Sequence, residues 1–143
     1  MKAKTYLLQI QRYDEMINNK LVELQKWRDI ATDISVKLSG DKVQTSGNGD
    51  KIGNAVSNYV TIEQEINEAV FELAKLRSEI IRTIEVLNVT YYDVLHKIYA
   101  QGLQLWEVAD IYKKSYSWIT TTHSRAIKAL QAILDERENE SIT

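Results

Sequence analysis

No proline occurs in the 143 residues, and four of the five glycines, Gly40, Gly47, Gly49 and Gly53, fall in one short stretch. Proline and glycine oppose helix by about 3 and 1 kcal/mol per residue relative to alanine. A chain this free of them can carry very long helices on both sides of that stretch. The apolar spacing agrees. Across residues 1–34, Leu7, Ile10, Ile17, Leu21, Leu24 and Ala31 follow a three-four alternation. Tyr13, Trp27 and Ile30 flank it, and Asp14 and Arg28 interrupt it. Over 54–87, Ala55, Tyr59, Ile62, Ile66, Ala69, Leu73, Leu76, Ile80, Thr83 and Leu87 continue a stripe begun at Ile52. Thr83 is its one polar member.

Such stripes bury one face of a helix against another helix. Ser39-Gly-Asp41 and Ser46-Gly-Asn-Gly-Asp50 are dense turn signals between them. The expected fold class is all-α, with a long antiparallel helical hairpin over 1–87. Its helices span about 1–34 and 54–87, its loop about 35–53. The second helix would extend about 50 Å. Two helices alone bury little, so the pair is expected to recruit the C-terminal part or a second copy of itself.

Asn88-Val-Thr90 reads as a break, with Thr90 and Asp93 resembling a capping box. A helix from Tyr91 to about Gln101 follows, with Leu95, Ile98 and Tyr99 inward, and Gly102 suits its C-terminal cap. Gln104, with Glu107 three residues on, opens a short helix holding Leu105, Val108, Ala109 and Tyr112. Ser115 caps a last helix that runs to about Asp135. Residues 136–143 form a polar tail expected to fray.

Residues 88–135 thus read as short helix, tight turn, longer helix, the form of a helix-turn-helix unit whose second helix enters the DNA major groove. Ala109 provides the small residue needed where the helices cross. Ile119 returns to the same core, and Thr122, Ala126 and Leu130 continue the inward stripe. Ser115, Tyr116, Ser117, Thr120, Thr121, Ser124 and Arg125 are left for DNA. Hydroxyls can bond phosphates or base edges, and arginine can read guanine or hold a phosphate. Lys113 and Lys114 in the turn, and Lys128, fall near the backbone. Trp118 is read as a packing or partner residue. No acidic residue occurs from Ile111 to Leu134, although the whole chain carries a formal charge of -2. That local asymmetry is the electrostatic sign of a nucleic-acid face. The implied partner is double-stranded DNA.

Other chemistry finds little to work with. There is no cysteine, which excludes disulfides, thiolate catalysis and cysteine-zinc sites and fits a reducing compartment. The opening Met1-Lys-Ala-Lys-Thr-Tyr turns polar too early for a signal peptide. No apolar run nears the roughly 18 residues that cross a membrane. Of the two histidines, His96 reads as a partly exposed surface residue and His123 as a lesser candidate for a phosphate contact. Glu63, Glu65, Glu68 and Glu72 read as a solvated face. The stretch Gly47-Asn-Gly-Asp-Lys-Ile-Gly53 fits neither a P-loop nor a dinucleotide fingerprint, and it reads as a hairpin tip. The expectation is a protein without enzymatic activity, cofactor or metal.

Leu103-Gln-Leu-Trp-Glu-Val-Ala109, Ser115, Ile119 and Arg125-Ala-Ile-Lys-Ala-Leu130 carry a resemblance. Over Asn88–Leu134 the chain resembles the fourth region of bacterial sigma factors, which reads the upstream promoter element. With Ser39-Gly-Asp-Lys-Val-Gln-Thr-Ser46, Asp50-Lys51 and Tyr116-Ser-Trp-Ile-Thr-Thr-Thr-His-Ser-Arg-Ala126, the whole chain resembles small phage and prophage proteins of Gram-positive bacteria. These are related to phage transcriptional regulators of the ArpU and RinA type. The resemblance implies a transcriptional regulator in the bacterial cytoplasm, with RNA polymerase as a further partner. The hairpin would mediate self-association, giving a homo-oligomer, or contact polymerase. A small-terminase-like DNA-packaging subunit and a protein-interaction module without DNA binding are the competing readings. Lys113 stands where a turn glycine is common in the sigma region. A lysine at positive φ costs about 1 kcal/mol, unless the turn is longer.

Overall fold

The computed structural model describes the backbone of residues 1–40 and 46–142, and their side chains except those at 34–40 and 46–50. The fold is all-α. Helix α1 spans Ala3–Gly40 and α2 Ser46–Ile84. Helix α3, Val89–Leu95, passes into a π-helical turn, His96–Ala100. Helix α4 spans Leu105–Tyr112 and α5 Tyr116–Ile142. The loop expected over 35–53 is helical at 35–40 and 46–53, and residues 41–45 lie outside the described residues. Glycine weakens a helix without forbidding it, and the backbone ladder of a long helix carries through single unfavourable residues.

Two compact units make up the chain: Met1–Arg12 with Leu73–Thr143, and Tyr13–Glu72. The expected boundary at residue 87 is therefore not a division of the fold. Both ends of the sequence build the unit that holds α3, α4 and α5.

Within Tyr13–Glu72, α1 and α2 run in opposite directions. Lys20 Nζ meets Glu65 Oε2 at 2.7 Å, and the Arg28 guanidinium lies 5.7 Å from the Tyr59 ring centre. Ala55, Ile66 and Ala69 are buried on the α2 side. On α1 the half-buried seam runs Tyr13, Ile17, Lys20, Leu24, Trp27, Ala31. Leu21, placed in the stripe by sequence, is 46% exposed. Lys20 takes its slot, resting its methylene stem in the seam while the ammonium reaches Glu65.

The other unit has two buried clusters. The larger joins Ala3, Tyr6, Leu7 and Ile10 of α1 to Ile80 and Ile84 of α2, Leu95 and Tyr99, and Ala126, Leu130 and Leu134 of α5. Thr83, the polar member of the α2 stripe, is buried there. Its hydroxyl donates to Glu79 O at 2.9 Å, lies 3.0 Å from Tyr6 Oη, and accepts from Arg137 Nη1 at 2.9 Å. This bond holds the end of α5, and residues 136–142, expected to fray, are helical. The smaller cluster comprises Val94, Val108, Ala109 and Ile119, with Ile98, Leu103, Leu105, Tyr112 and Trp118 packed against it.

Leu130 is fully buried where α1 and α5 pack together. Leu130→Ala should cost about 2–5 kcal/mol through lost burial and the cavity left behind. Urea unfolding measures it, and a loss below about 1 kcal/mol would contradict this packing.

Candidate nucleic-acid interface

Local signals fix each end of the candidate segment. Asn88, rather than Thr90, caps α3: its Oδ1 accepts the Tyr91 N–H at 2.9 Å. The π turn leaves the Ala100 carbonyl to Arg77, whose Nη1 donates at 2.9 Å. Gly102 follows at φ 76° and lets the chain reverse. Glu107 then accepts the Gln104 N–H at 3.3 Å at the start of α4, as the sequence implied.

The turn between α4 and α5 depends on Lys113, which sits at φ 55°, ψ 45°. The Lys113 N–H donates to Asp110 O at 3.0 Å and the Lys114 N–H to Ala109 O at 2.9 Å. This pair is a Schellman motif, and it satisfies two carbonyls that the helix end would leave open. The turn is short, so the positive φ falls on lysine. Ser115 Oγ then accepts the Trp118 N–H at 3.1 Å and caps α5.

Apolar packing sets the angle of α5. Ile119, Thr122, Ala126, Leu130 and Leu134 are buried along one face. Trp118 is half-buried with its ring centre 5.1 Å from that of Tyr112. Trp118 packs against the smaller cluster, one of the two roles read for it. The Tyr112 hydroxyl donates to Asp93 Oδ2, and Lys97 Nζ reaches Asp93 Oδ1 at 2.5 Å, tying α4 to α3. Burial alone would raise the Asp93 carboxyl. The bonds from Lys97 and Tyr112 outweigh it and hold the pKa below the usual value. Burial and the Asp93 bond push the Tyr112 phenol up to about 12.

The remaining site residues lie outward. Lys113, Lys114, Ser115, Tyr116, Ser117, Thr121, Ser124, Arg125 and Lys128 are exposed, and Thr120 is half-buried. At 3.6 residues per turn, Ser117, Thr121, Ser124 and Lys128 share one stripe opposite the buried face. Arg125 flanks this stripe on one side and Thr120 on the other. Thr120 Oγ1 donates to Ser117 O at 3.0 Å and keeps its lone pairs for another donor. The Ser115 hydroxyl oxygen already serves the cap, though its proton can still be donated. Tyr116, 58% exposed at the helix start, lies off the stripe.

Charge separates the site from the rest of the chain. The unit with α5 holds 12 basic and 9 acidic residues, net +3; Tyr13–Glu72 holds 6 and 11, net -5. Among the described residues, no carboxylate pairs with Lys113, Lys114, Arg125 or Lys128. Lys20 and Lys97, away from the stripe, are paired.

His123, the lesser candidate for a phosphate contact, is engaged within the fold. Its Nε2 shares a 2.7 Å hydrogen bond with the Tyr99 hydroxyl, and the two rings stack. Burial, then the Lys4 ammonium, lowers its pKa from 6.5, so the ring is neutral near pH 7. Burial pushes the Tyr99 phenol up to about 12. His96, read as a partly exposed surface residue, is half-buried, and its Nδ1 accepts from Gln101 Nε2 at 2.9 Å. Sequence reasoning missed the Tyr99–His123 and Asp93–Tyr112 pairs. No local signal marks them, because both join residues on different helices.

Set beside family models, curated proteins and solved structures, the chain matches none.

Replacing Lys113 with glycine should raise stability by about 1 kcal/mol, since glycine meets no steric cost at this φ. An unchanged urea midpoint would count against the left-handed turn. For pH, the sign follows from both histidines having lowered pKa values in the fold. The unfolded chain takes up these protons first as pH falls. Stability is therefore full above 6.5 and drops as pH descends through 6.5 toward the folded values. His123→Gln should flatten that drop in urea midpoints measured across the range. An undiminished drop would remove the Tyr99–His123 pair as its cause.

Proposed function

We propose that this chain is a DNA-binding transcriptional regulator of phage or prophage type. In this reading α4, the Lys113 turn and α5 form a helix-turn-helix, and α5 is the recognition helix in the major groove. The observation that carries it is the α5 face itself: hydroxyls and basic side chains, no carboxylate from Ile111 to Leu134, and no ion pair on its cations among the described residues. Cations held without protein partners on a rigid helix suit phosphate contacts, whose affinity comes from counterion release. The resemblance to sigma region four and to phage regulators supports the same reading.

Ser117, Thr121 and Ser124 face base edges and phosphates, Arg125 reads a base or holds a phosphate, and Lys113, Lys114 and Lys128 meet the backbone. The pair of long helices serves self-association or contact with RNA polymerase. Val56, Val60 and Val70, 47–48% exposed on α2, are apolar surface available for it. Host cytoplasm is the compartment this role requires, and no cofactor or catalytic step enters.

The test is binding to duplex DNA from the neighbourhood of the gene, by fluorescence anisotropy over a salt series. Binding should weaken steeply with salt. Arg125→Ala should cost about 1–3 kcal/mol on the preferred site if the arginine reads a base. Absence of binding to any duplex at low salt would reject DNA recognition in favour of a protein-only interaction module. Solution mass separates regulation from packaging: a monomer or dimer fits a regulator, and a closed ring of about eight or more copies fits a packaging subunit.

A further inference from the structure

The segment that anchors α5 comes from the other end of the sequence. Ala3 is buried against the cluster containing Ala126, Leu130 and Leu134, and its N–H donates to Gln131 Oε1 at 2.7 Å. Leu7 and Ile10, about one and two turns on, are buried in the same cluster. The first turns of α1 are therefore fixed against α5. Met1–Arg12 carries Lys2, Lys4 and Arg12 and no acidic residue. Lys4 is exposed, and no carboxylate pairs with it among the described residues. Gln131, the partner of Ala3, follows His123 and Ile127 at four-residue spacing on one side of α5, so the first turn of α1, which holds Lys4, lies along that side.

That side is the one α5 leaves without a cation. His123 and Arg125 are two residues apart, about 200° around the helix, so they flank the Ser117–Thr121–Ser124–Lys128 stripe on opposite sides. A helix seated in the major groove has a phosphate backbone on each flank. Arg125 stands on one. On the other, α5 itself offers Thr120, neutral His123 and Ile127.

We propose that Lys4 is the phosphate contact for this second flank, so that the DNA face is built from both ends of the chain. The inference rests on the DNA-binding reading above. Two cations on opposite flanks fix the angle of a helix in the groove, which cations on one flank cannot do.

The experiment measures affinity of the full chain for a labelled random-sequence duplex and for the preferred site over a salt series. Lys4→Ala should weaken both by about three- to ten-fold and reduce the slope of log affinity against log salt by about 0.9. Lys4→Arg should restore both, because a phosphate contact needs only the charge. Lys26→Ala, an equal charge change at an exposed lysine in Tyr13–Glu72, should alter neither. If Lys4→Ala behaves like Lys26→Ala while Arg125→Ala weakens binding, DNA recognition stands and the role of Lys4 is overturned. If the wild-type chain binds no duplex at low salt, both fall.

Discussion

Helix α5 buries Ile119 in one cluster and Ala126, Leu130 and Leu134 in another. The rest of this unit depends on that shared burial. The first cluster fixes α5 against α3 and α4, and so determines which side chains of its opening turns are left outside. The second fixes the remainder of α5 against α1 and α2. Burying such aliphatic side chains contributes about 1.5–3 kcal/mol each, far more than any polar contact on the surface. The outward stripe is thus what remains after hydrophobic packing has claimed its face. Its polar residues can point at a ligand because none is needed to hold the helix.

Polar pairs refine what apolar burial sets. Tyr112 with Asp93 ties α4 to α3, Tyr99 with His123 ties the π turn to α5, and Arg137 with Thr83 ties the end of α5 to α2. Each joins two elements rather than capping one. Each also occupies a group that sequence alone could assign to chemistry. His123 is the clearest case: a histidine on α5 invites a phosphate role, whereas its Nε2 is engaged by Tyr99 and burial lowers its pKa.

What the sequence made legible was local. The all-α class, the inward positions Val108, Ala109, Ile119, Thr122, Ala126 and Leu130, the Gln104–Glu107 box and the Ser115 cap all follow from spacing within a few residues. The Lys113 turn was legible as a choice between positive φ and a longer loop. What failed was register and reach. In α1, apolar and charged residues adjoin at Lys20-Leu21 and Trp27-Arg28, so a three-four count admits two registers. Only the partner helix, through Glu65, selects the one that seats Lys20. The helical tail at 136–142 depends on Thr83, more than fifty residues away. The inclusion of Met1–Arg12 in the C-terminal unit has the same cause: a buried alanine and leucine carry no mark of which helix they meet.

The charge pattern ties these points together. A chain of net charge -2 gathers its acidic excess in Tyr13–Glu72, and among the described residues the cations of one α5 face have no carboxylate partner. An acidic residue at position 121 or 124 of the outward stripe would lie one turn from Arg125 or Lys128 and could pair with it. The acid-free stretch Ile111–Leu134 prevents this along the sequence, and the acid-free Met1–Arg12 prevents it across the fold. Structural stability makes no such demand, since exposed ion pairs would be neutral or slightly favourable there. The exclusion of acid from two segments far apart in sequence but packed together in space is the charge pattern that the proposed DNA contact calls for. Helix packing alone gives no reason for it.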